Sequence, residues 1–505
     1  EVNMNKSKAQ EILCGLSADQ TKRLFQYQVN LRTDKDPQHF DDKLREHLLK
    51  ISKDEGKMVN RVVSHCDSLG WNQSKYRYSL IQEQVSRFAD TTVRNFSNNP
   101  NFIAAKQKLM AEAKGWRLRT LRYGWSHDVL GSLPRTDTHA GFSYILTGKR
   151  TKGEYRGRLH QDFINEVDKA RKNGSFNKPI LIGSRTQSKP PISDKDGSFL
   201  QLTKEEVDSK KKTRLVSMVD IYVILAENIF AKPFQQQLCL TEWYAGGKND
   251  ASISSLIKQN LRFRSNWISL DYSSYDQSIS DWMIREAFDI IRAAFEHDIY
   301  WDEELFKIVR EDFIHKVFIT GDGLVESKKG VPSGSMFTQI VDSLVNRLMI
   351  DTYFNSIGLT DYSLLIMGDD NLITYNGEVN PEFISTYLKR NFDCTMNPSK
   401  VDQGTQAEDV LFLSRYWTKN GPWRSPEALI AKMVYPERFR NYQSEALTTD
   451  MIVLSYFETF NASMMEIFKR NEFEWEAVRR VGSDVSKWLS GYHAYRIRYL
   501  DKFNR

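Results

Sequence analysis

Tyr362-Ser-Leu-Leu-Ile-Met-Gly-Asp-Asp-Asn-Leu-Ile-Thr-Tyr375 is the stretch on which the fold turns. Leu364–Met367 is an apolar run that reads as a buried strand, and Leu372–Tyr375 reads as a second. Between them lies Gly368-Asp-Asp-Asn371, a turn-forming cluster suited to a tight hairpin. Such a hairpin holds two carboxylates at the tip of a rigid scaffold, where carboxylate oxygens suit Mg²⁺ or Mn²⁺. An acidic turn that merely keeps its charges in water has the same local sequence. Partners elsewhere in the chain decide between the two.

The bulk composition admits such partners. With 40% hydrophobic and 27% charged residues among 505, the chain is globular rather than disordered, and long enough for several domains. Lys and Arg number 71 against 65 Asp and Glu, a mild excess that permits a nucleic-acid partner without requiring one. No window has the length of an apolar membrane span and no signal-peptide pattern is present. Cys14, Cys66, Cys239 and Cys394 lie far apart without metal-ligand spacing, which points to a reducing compartment and no structural zinc.

Along the chain, residues 1 to about 125 read mostly as helix, as in Phe40–Leu49. Trp116–Tyr123 interleaves Arg with aromatics, which suits either base stacking or an amphipathic surface. Gly183–Gly197 reads as an exposed loop or long hairpin, and Lys210–Val216 is a basic knot before a helix-like run, Met218–Ala226. Trp267–Leu270 is a short strand with Asp271 at its end and Asp276 five residues on. A carboxylate leaving a core strand is placed to act, although Asp276 or Ser278 would equally cap a helix over Trp282–Phe295. The loop Lys329–Thr338 runs into a helix over Gln339–Ile350, where Thr338, Asp342 and Asn346 fall four apart on one face. A helix over Pro381–Asn391, the tail Met396–Lys400 and a strand-like run, Val410–Trp417, follow.

In this order, these stretches resemble the motifs of viral RNA-dependent RNA polymerases over about residues 183–417. Motif A resembles Asp271–Asp276, motif B Gly330–Thr338, and motif C Met367–Asn371. Motif D would end at Lys400, motif E lie at Phe412–Trp417, and motif F around Arg185 and Lys212–Arg214. The wording of motif B is most similar to polymerases of bisegmented double-stranded RNA viruses, picobirnaviruses first and partitiviruses second.

The resemblance implies an α+β right-hand polymerase with fingers, an antiparallel palm sheet with helices, and a helical thumb. It implies an N-terminal region and fingers over 1–225, palm over 226–305 and 329–422, a fingers return over 306–328, and a thumb over 423–505. Asp271, Asp369 and Asp370 would bind Mg²⁺ (or Mn²⁺), with Lys400 as candidate proton donor to pyrophosphate. Asp276, Ser333, Gly334 and Thr338 would bind the nucleotide, with Asp342 or Asn346 completing the sugar-reading network. Arg185, Lys212 and Arg214 would hold the triphosphate. Many relatives carry Asn where this chain has Asp342, and here an Asn comes one turn later. The implied partners are template and nascent RNA, ribonucleoside triphosphates and a capsid protein, with no membrane, in the virion interior and host cytoplasm. The competing readings are a reverse transcriptase and a non-catalytic RNA-binding or virion protein. Asp276 and Gly368 disfavour the first. The ordered acidic positions disfavour the second.

Overall fold

The computed structural model describes residues 2–469, apart from positions 74, 90–93, 134 and 443–447. Its centre is the helix Thr338–Ile357, which is buried on every side from Ile340 to Phe354. Apolar side chains surround it, most of its buried polar groups being paired within the core, and it ends at Gly358, whose left-handed φ of 70° turns the chain out. It is longer at both ends than the 339–350 segment expected, because Thr338 opens it and no breaker precedes Gly358.

On this helix lies an antiparallel four-stranded sheet, in the order Asp402–Gly404, Asn266–Ser269, Asp370–Tyr375, Tyr362–Met367. The helices Asp281–Ala293, Pro100–Lys114 and Pro381–Phe392 complete the packing around it. Ser280, not Asp276 or Ser278, stands at the N-cap position of Asp281–Ala293, without a side-chain capping bond; the other two fall in a separate short turn, Tyr275–Ser278. Asp276 is thereby freed from a capping role.

A second four-stranded sheet has the order Thr213–Met218, Ile180–Thr186, Lys316–Ile319, Leu324–Ser327. The basic knot thus runs into a strand of a long hairpin, and the apolar run expected as helix from Met218 becomes helical only at Ile221, after the Asp220 cap. Val410–Trp417 is not one strand. Leu413 and Ser414 take positive φ (54° and 60°) and fold it into a hairpin between Leu411–Phe412 and Arg415–Thr418.

A separate apolar cluster joins the helices Asp42–Ile51 and Lys57–Ser68 to Pro426–Val434 and Thr449–Thr459, so the two ends of the described chain share a core. Of the expected thumb, residues 443–447 and 470–505 lie outside the described residues. In Trp116–Tyr123, Arg117 and Arg119 pair with Glu296, and the Trp116 ring packs 5.2 Å from that of Phe234. This is a packed segment with its charges on the surface. Among the described residues, no helix is long and apolar enough to cross a membrane.

Candidate active site

Met367 pairs with Asp370, which leaves Gly368 and Asp369 as a two-residue hairpin turn. Gly368 has φ +61°, and a Cβ there would stand 3.0 Å from the Gln339 side-chain oxygen, so both conformation and space favour glycine. The neighbouring strand is held level with this turn by one side chain. Asn371 Oδ1 accepts from the Leu270 N–H at 2.9 Å, and its Nδ2 donates to the Leu270 carbonyl at 3.2 Å and the Asp369 carbonyl at 3.3 Å. The regular ladder between these strands stops at Ile268–Ile373, and the Asn371 amide continues it in side-chain form. Asp271, the residue after Leu270, thereby emerges beside Asp369 and Asp370.

The central helix fixes the turn from below. Ser343 Oγ accepts from the Gly368 N–H at 2.9 Å. Asn346 Nδ2 donates to the carbonyls of Gly368 (3.0 Å) and Asp370 (3.4 Å), and its Oδ1 accepts from the Tyr272 hydroxyl at 2.9 Å. Asn346 is therefore spent on the turn and on the strand-end tyrosine. Asp342, one turn earlier, takes the Tyr275 hydroxyl on its carbonyl (2.7 Å) and brings its buried carboxyl against that of Asp276. Its Oδ1 is buried without a hydrogen-bond partner.

The loop before the helix is tied down at both ends. Ser333 Oγ accepts from the Ser217 N–H at 2.9 Å, and a Cβ on Gly334 would lie 1.8 Å from the Ser217 carbonyl oxygen. Only glycine allows the loop this close to the strand. The Thr338 hydroxyl turns back to the carbonyls of Pro332 (2.6 Å) and Ser335 (2.9 Å), so it holds the loop's shape rather than facing outward.

Electrostatically the centre is an acid cluster facing cations. Asp369 is exposed at the tip of the turn, yet its dense surroundings raise its carboxyl above the usual range, with Asp271 adding to the effect. Burial, with Asp369 and Asp271 as charged neighbours, pushes Asp370 up to about 7. Burial and Asp369 raise Asp276 to about 6, while burial and Asp276 raise Asp342 further. Two facing buried carboxyls cannot both ionise cheaply, so the pair holds a proton between them. Arg214 opposes these shifts at Asp276, Asp369 and Asp370.

Lys212 lies within the influence of Asp271, Arg214, Lys189 and Lys400, and burial with that cationic crowding lowers its pKa. Lys400 ends a turn, Pro398–Lys400, that is joined to the Asp271 carbonyl through the Asn397 N–H at 3.4 Å. Arg185 is the exception. It sits directly across the hairpin from Arg214, but its guanidinium reaches Glu437 at 3.4 Å.

Among the described residues, no three His, Cys, Asp or Glu side chains close around a single point as a preformed metal cage. The donor set still fits Mg²⁺ or Mn²⁺. Mg²⁺ keeps several waters and is commonly held by one or two carboxylates together with substrate phosphates, and the mutual repulsion of Asp271, Asp369 and Asp370 is what a divalent cation relieves.

This site, an acidic hairpin turn and a strand-end aspartate facing Arg214 and Lys212, is of the class that binds divalent metal and phosphate. The family profile of viral RNA-dependent RNA polymerase matches residues 54–458, and the chain belongs to that family. It is 30% identical over 169 residues to the RNA-directed RNA polymerase of Cryptosporidium parvum virus 1, covering 32% of this chain and 30% of that protein. It is 27% identical over 168 residues to the RNA-directed RNA polymerase of Atkinsonella hypoxylon virus, covering 30% of this chain and 25% of that protein. The matched stretches thus span under a third of these curated relatives. The crystal structure of the RNA-dependent RNA polymerase of a human picobirnavirus superposes with a TM-score of 0.63 at 14% identity, over 95% of this chain and 92% of that one. The α+β right-hand fold expected from the sequence is the fold of this chain.

Sequence reasoning missed the residues that hold the site. Asn371, Ser343 and Ser217 act through backbone groups, and such bonds leave no pattern in a single sequence. Lys189, in the loop after Ile180–Thr186, was legible only as part of a basic composition. Glu227, beside Asn228 inside an apolar helix, was an anomaly that a closer count of polar residues in apolar runs would have found.

Proposed function

We propose that this chain synthesises RNA on an RNA template, transferring a nucleotidyl group from a ribonucleoside triphosphate to an RNA 3′-hydroxyl with release of pyrophosphate. The observation that carries this is the alignment by Asn371 of Asp271 with the Gly368–Asp369 turn, opposite Arg214 and Lys212. Asp271, Asp369 and Asp370 would hold the divalent ions. Bound there, two ions about 3.5–4 Å apart supply Lewis acidity at the attacking hydroxyl and at the phosphates.

The protein's own groups do the rest. Arg214 and Lys212 neutralise and orient the triphosphate, and Lys189 adds to the positive field. Lys400, on the turn attached to Asp271, is placed to give a proton to pyrophosphate. The Asp276–Asp342 pair, holding one proton, offers an acceptor and a donor for ribose hydroxyls, and Ser333 is exposed beside it. Arg185 would join the triphosphate only on leaving Glu437.

The division into fingers, palm and thumb at the expected boundaries belongs to the same proposal. So do genome replication and transcription, a capsid partner, and work inside the particle and host cytoplasm. These last rest on the likeness to double-stranded RNA virus polymerases.

The test is incorporation of labelled ribonucleotides on a single-stranded RNA template, with Mg²⁺ or Mn²⁺, against chelator and deoxynucleotide controls. Template-length, chelator-sensitive product made from ribonucleotides supports the reading. Folded, RNA-bound protein that incorporates nothing, with or without a primer, refutes it.

A further inference from the structure

Glu227 lies at 2% exposure inside the apolar helix Ile221–Leu238, away from the acid cluster, and the nucleotidyl-transfer scheme makes no use of it. Its Oε2 accepts from the Ser335 hydroxyl at 2.5 Å and its Oε1 from the Met336 N–H at 3.2 Å. Ser335 Oγ in turn accepts from the Phe337 N–H at 3.1 Å. These donors are the last groups before the central helix, whose N-cap, Phe337, has no side chain able to cap. A carboxylate from another helix thus ties down the segment that leads into the central helix.

The same loop is held on its other side by the Ser217–Ser333 bond and by the close approach at Gly334. Behind it lies a cavity of about 60 Å³, lined in part by Val223, Glu227, Pro332 and Ser335. The loop is seated by these directed hydrogen bonds together with the packing of Val331 and Phe337, both fully buried. Burial raises the Glu227 carboxyl to about 7, and the Ser335 and Met336 donors offset part of that rise. A buried carboxylate is costly, and here its two acceptor oxygens are matched to two donors of one loop.

We propose that Glu227 is a positioning residue for nucleotide selection: by gripping Ser335 and Met336 it sets where Ser333, on the same loop, stands relative to Asp276. This rests on the reading of Asp276 and Asp342 as the groups that meet the ribose. Loss of the grip moves the loop that carries Ser333 and leaves Asp271, Asp369 and Asp370, which are held by Asn371, Ser343 and Asn346, in place.

The experiment compares single-nucleotide incorporation by wild type, E227Q, E227A and S335A, with a ribonucleotide and its deoxy counterpart. Melting temperature and RNA binding are measured beside it. E227A and S335A are expected to raise the ribonucleotide KM about tenfold, the scale of one lost hydrogen bond to a charge, and to narrow the ribose preference, with kcat changed much less. E227Q keeps one acceptor and falls between. Should E227A fail to fold, S335A, which removes a single hydroxyl, decides alone. Folded variants with unchanged KM and ribose preference overturn the proposal, as does a loss confined to melting temperature or to kcat. An inactive wild type would instead remove the polymerase reading itself, and this proposal with it.

Discussion

Asn346 donates to the carbonyl of Gly368 at 3.0 Å, so the central helix grips the backbone of the acidic turn directly. The same side chain accepts from Tyr272, one residue past Asp271. One amide therefore registers both acidic segments on one rigid element. Asn346→Ala removes the partner of the buried Tyr272 hydroxyl and of the Gly368 and Asp370 carbonyls. It should cost about 1–3 kcal/mol for each group so exposed, read by urea unfolding, and lower kcat more than it raises nucleotide KM. A variant with wild-type stability and kcat would contradict this role.

Gly334 faces the Ser217 carbonyl where a Cβ would lie 1.8 Å away. Gly334→Ala must push the loop off the strand, and a displacement near 1 Å costs roughly a hundredfold in a positioned reaction. The expected outcome is that loss in kcat/KM from a protein that still folds, as checked by steady-state incorporation and circular dichroism. Activity within a factor of about three would show that the loop tolerates the shift.

Asp276 and Asp342 give a pH dependence with a definite sign. Their folded pKa values are raised, to about 6 for Asp276 and well above the ordinary value for Asp342. The unfolded chain releases protons that the folded pair retains, so this pair's contribution to stability falls as pH rises from about 4 through the folded values. Asp342→Asn removes the second charge and supplies an amide donor to Asp276. Measured by urea unfolding without divalent metal, it should be more stable than wild type by on the order of 1–3 kcal/mol at pH 8, with the gap closing toward pH 4. Ribose preference should survive. A gap independent of pH would refute the shared proton.

Arg214 and Arg185 stand across from each other in the hairpin, but only Arg214 acts on the acid cluster, while Arg185 is paired with Glu437. Arg214→Ala should raise nucleotide KM by about tenfold or more, and Arg185→Ala by less than about threefold. Equal effects would mean that Arg185 leaves Glu437 when nucleotide binds.

The hairpin, the strand-end Asp271 and the buried helix were legible because each is written locally: an apolar run, a Gly-Asp turn and polar residues four apart. The sequence left Asp342 and Asn346 as alternatives. The fold separates them by one helical turn, bringing the first to Asp276 and the second to Gly368. The break at Leu413–Ser414 was illegible because neither residue is a usual choice for positive φ, and tertiary packing imposes it. Arg185 shows the same limit. Its composition suited a phosphate, and a partner more than two hundred residues away, Glu437, decides where it points.

In the proposed reaction Asp369 and Asp271 together support metal-dependent nucleotidyl transfer. Single-nucleotide incorporation by Asp369→Asn and Asp271→Asn, against wild type over a range of Mg²⁺, tests it most directly. Both variants are expected to fold and bind RNA yet lose roughly a thousandfold or more in kcat, without recovery at high Mg²⁺. Either variant retaining a substantial fraction of wild-type kcat would contradict the assignment of the catalytic centre to this turn.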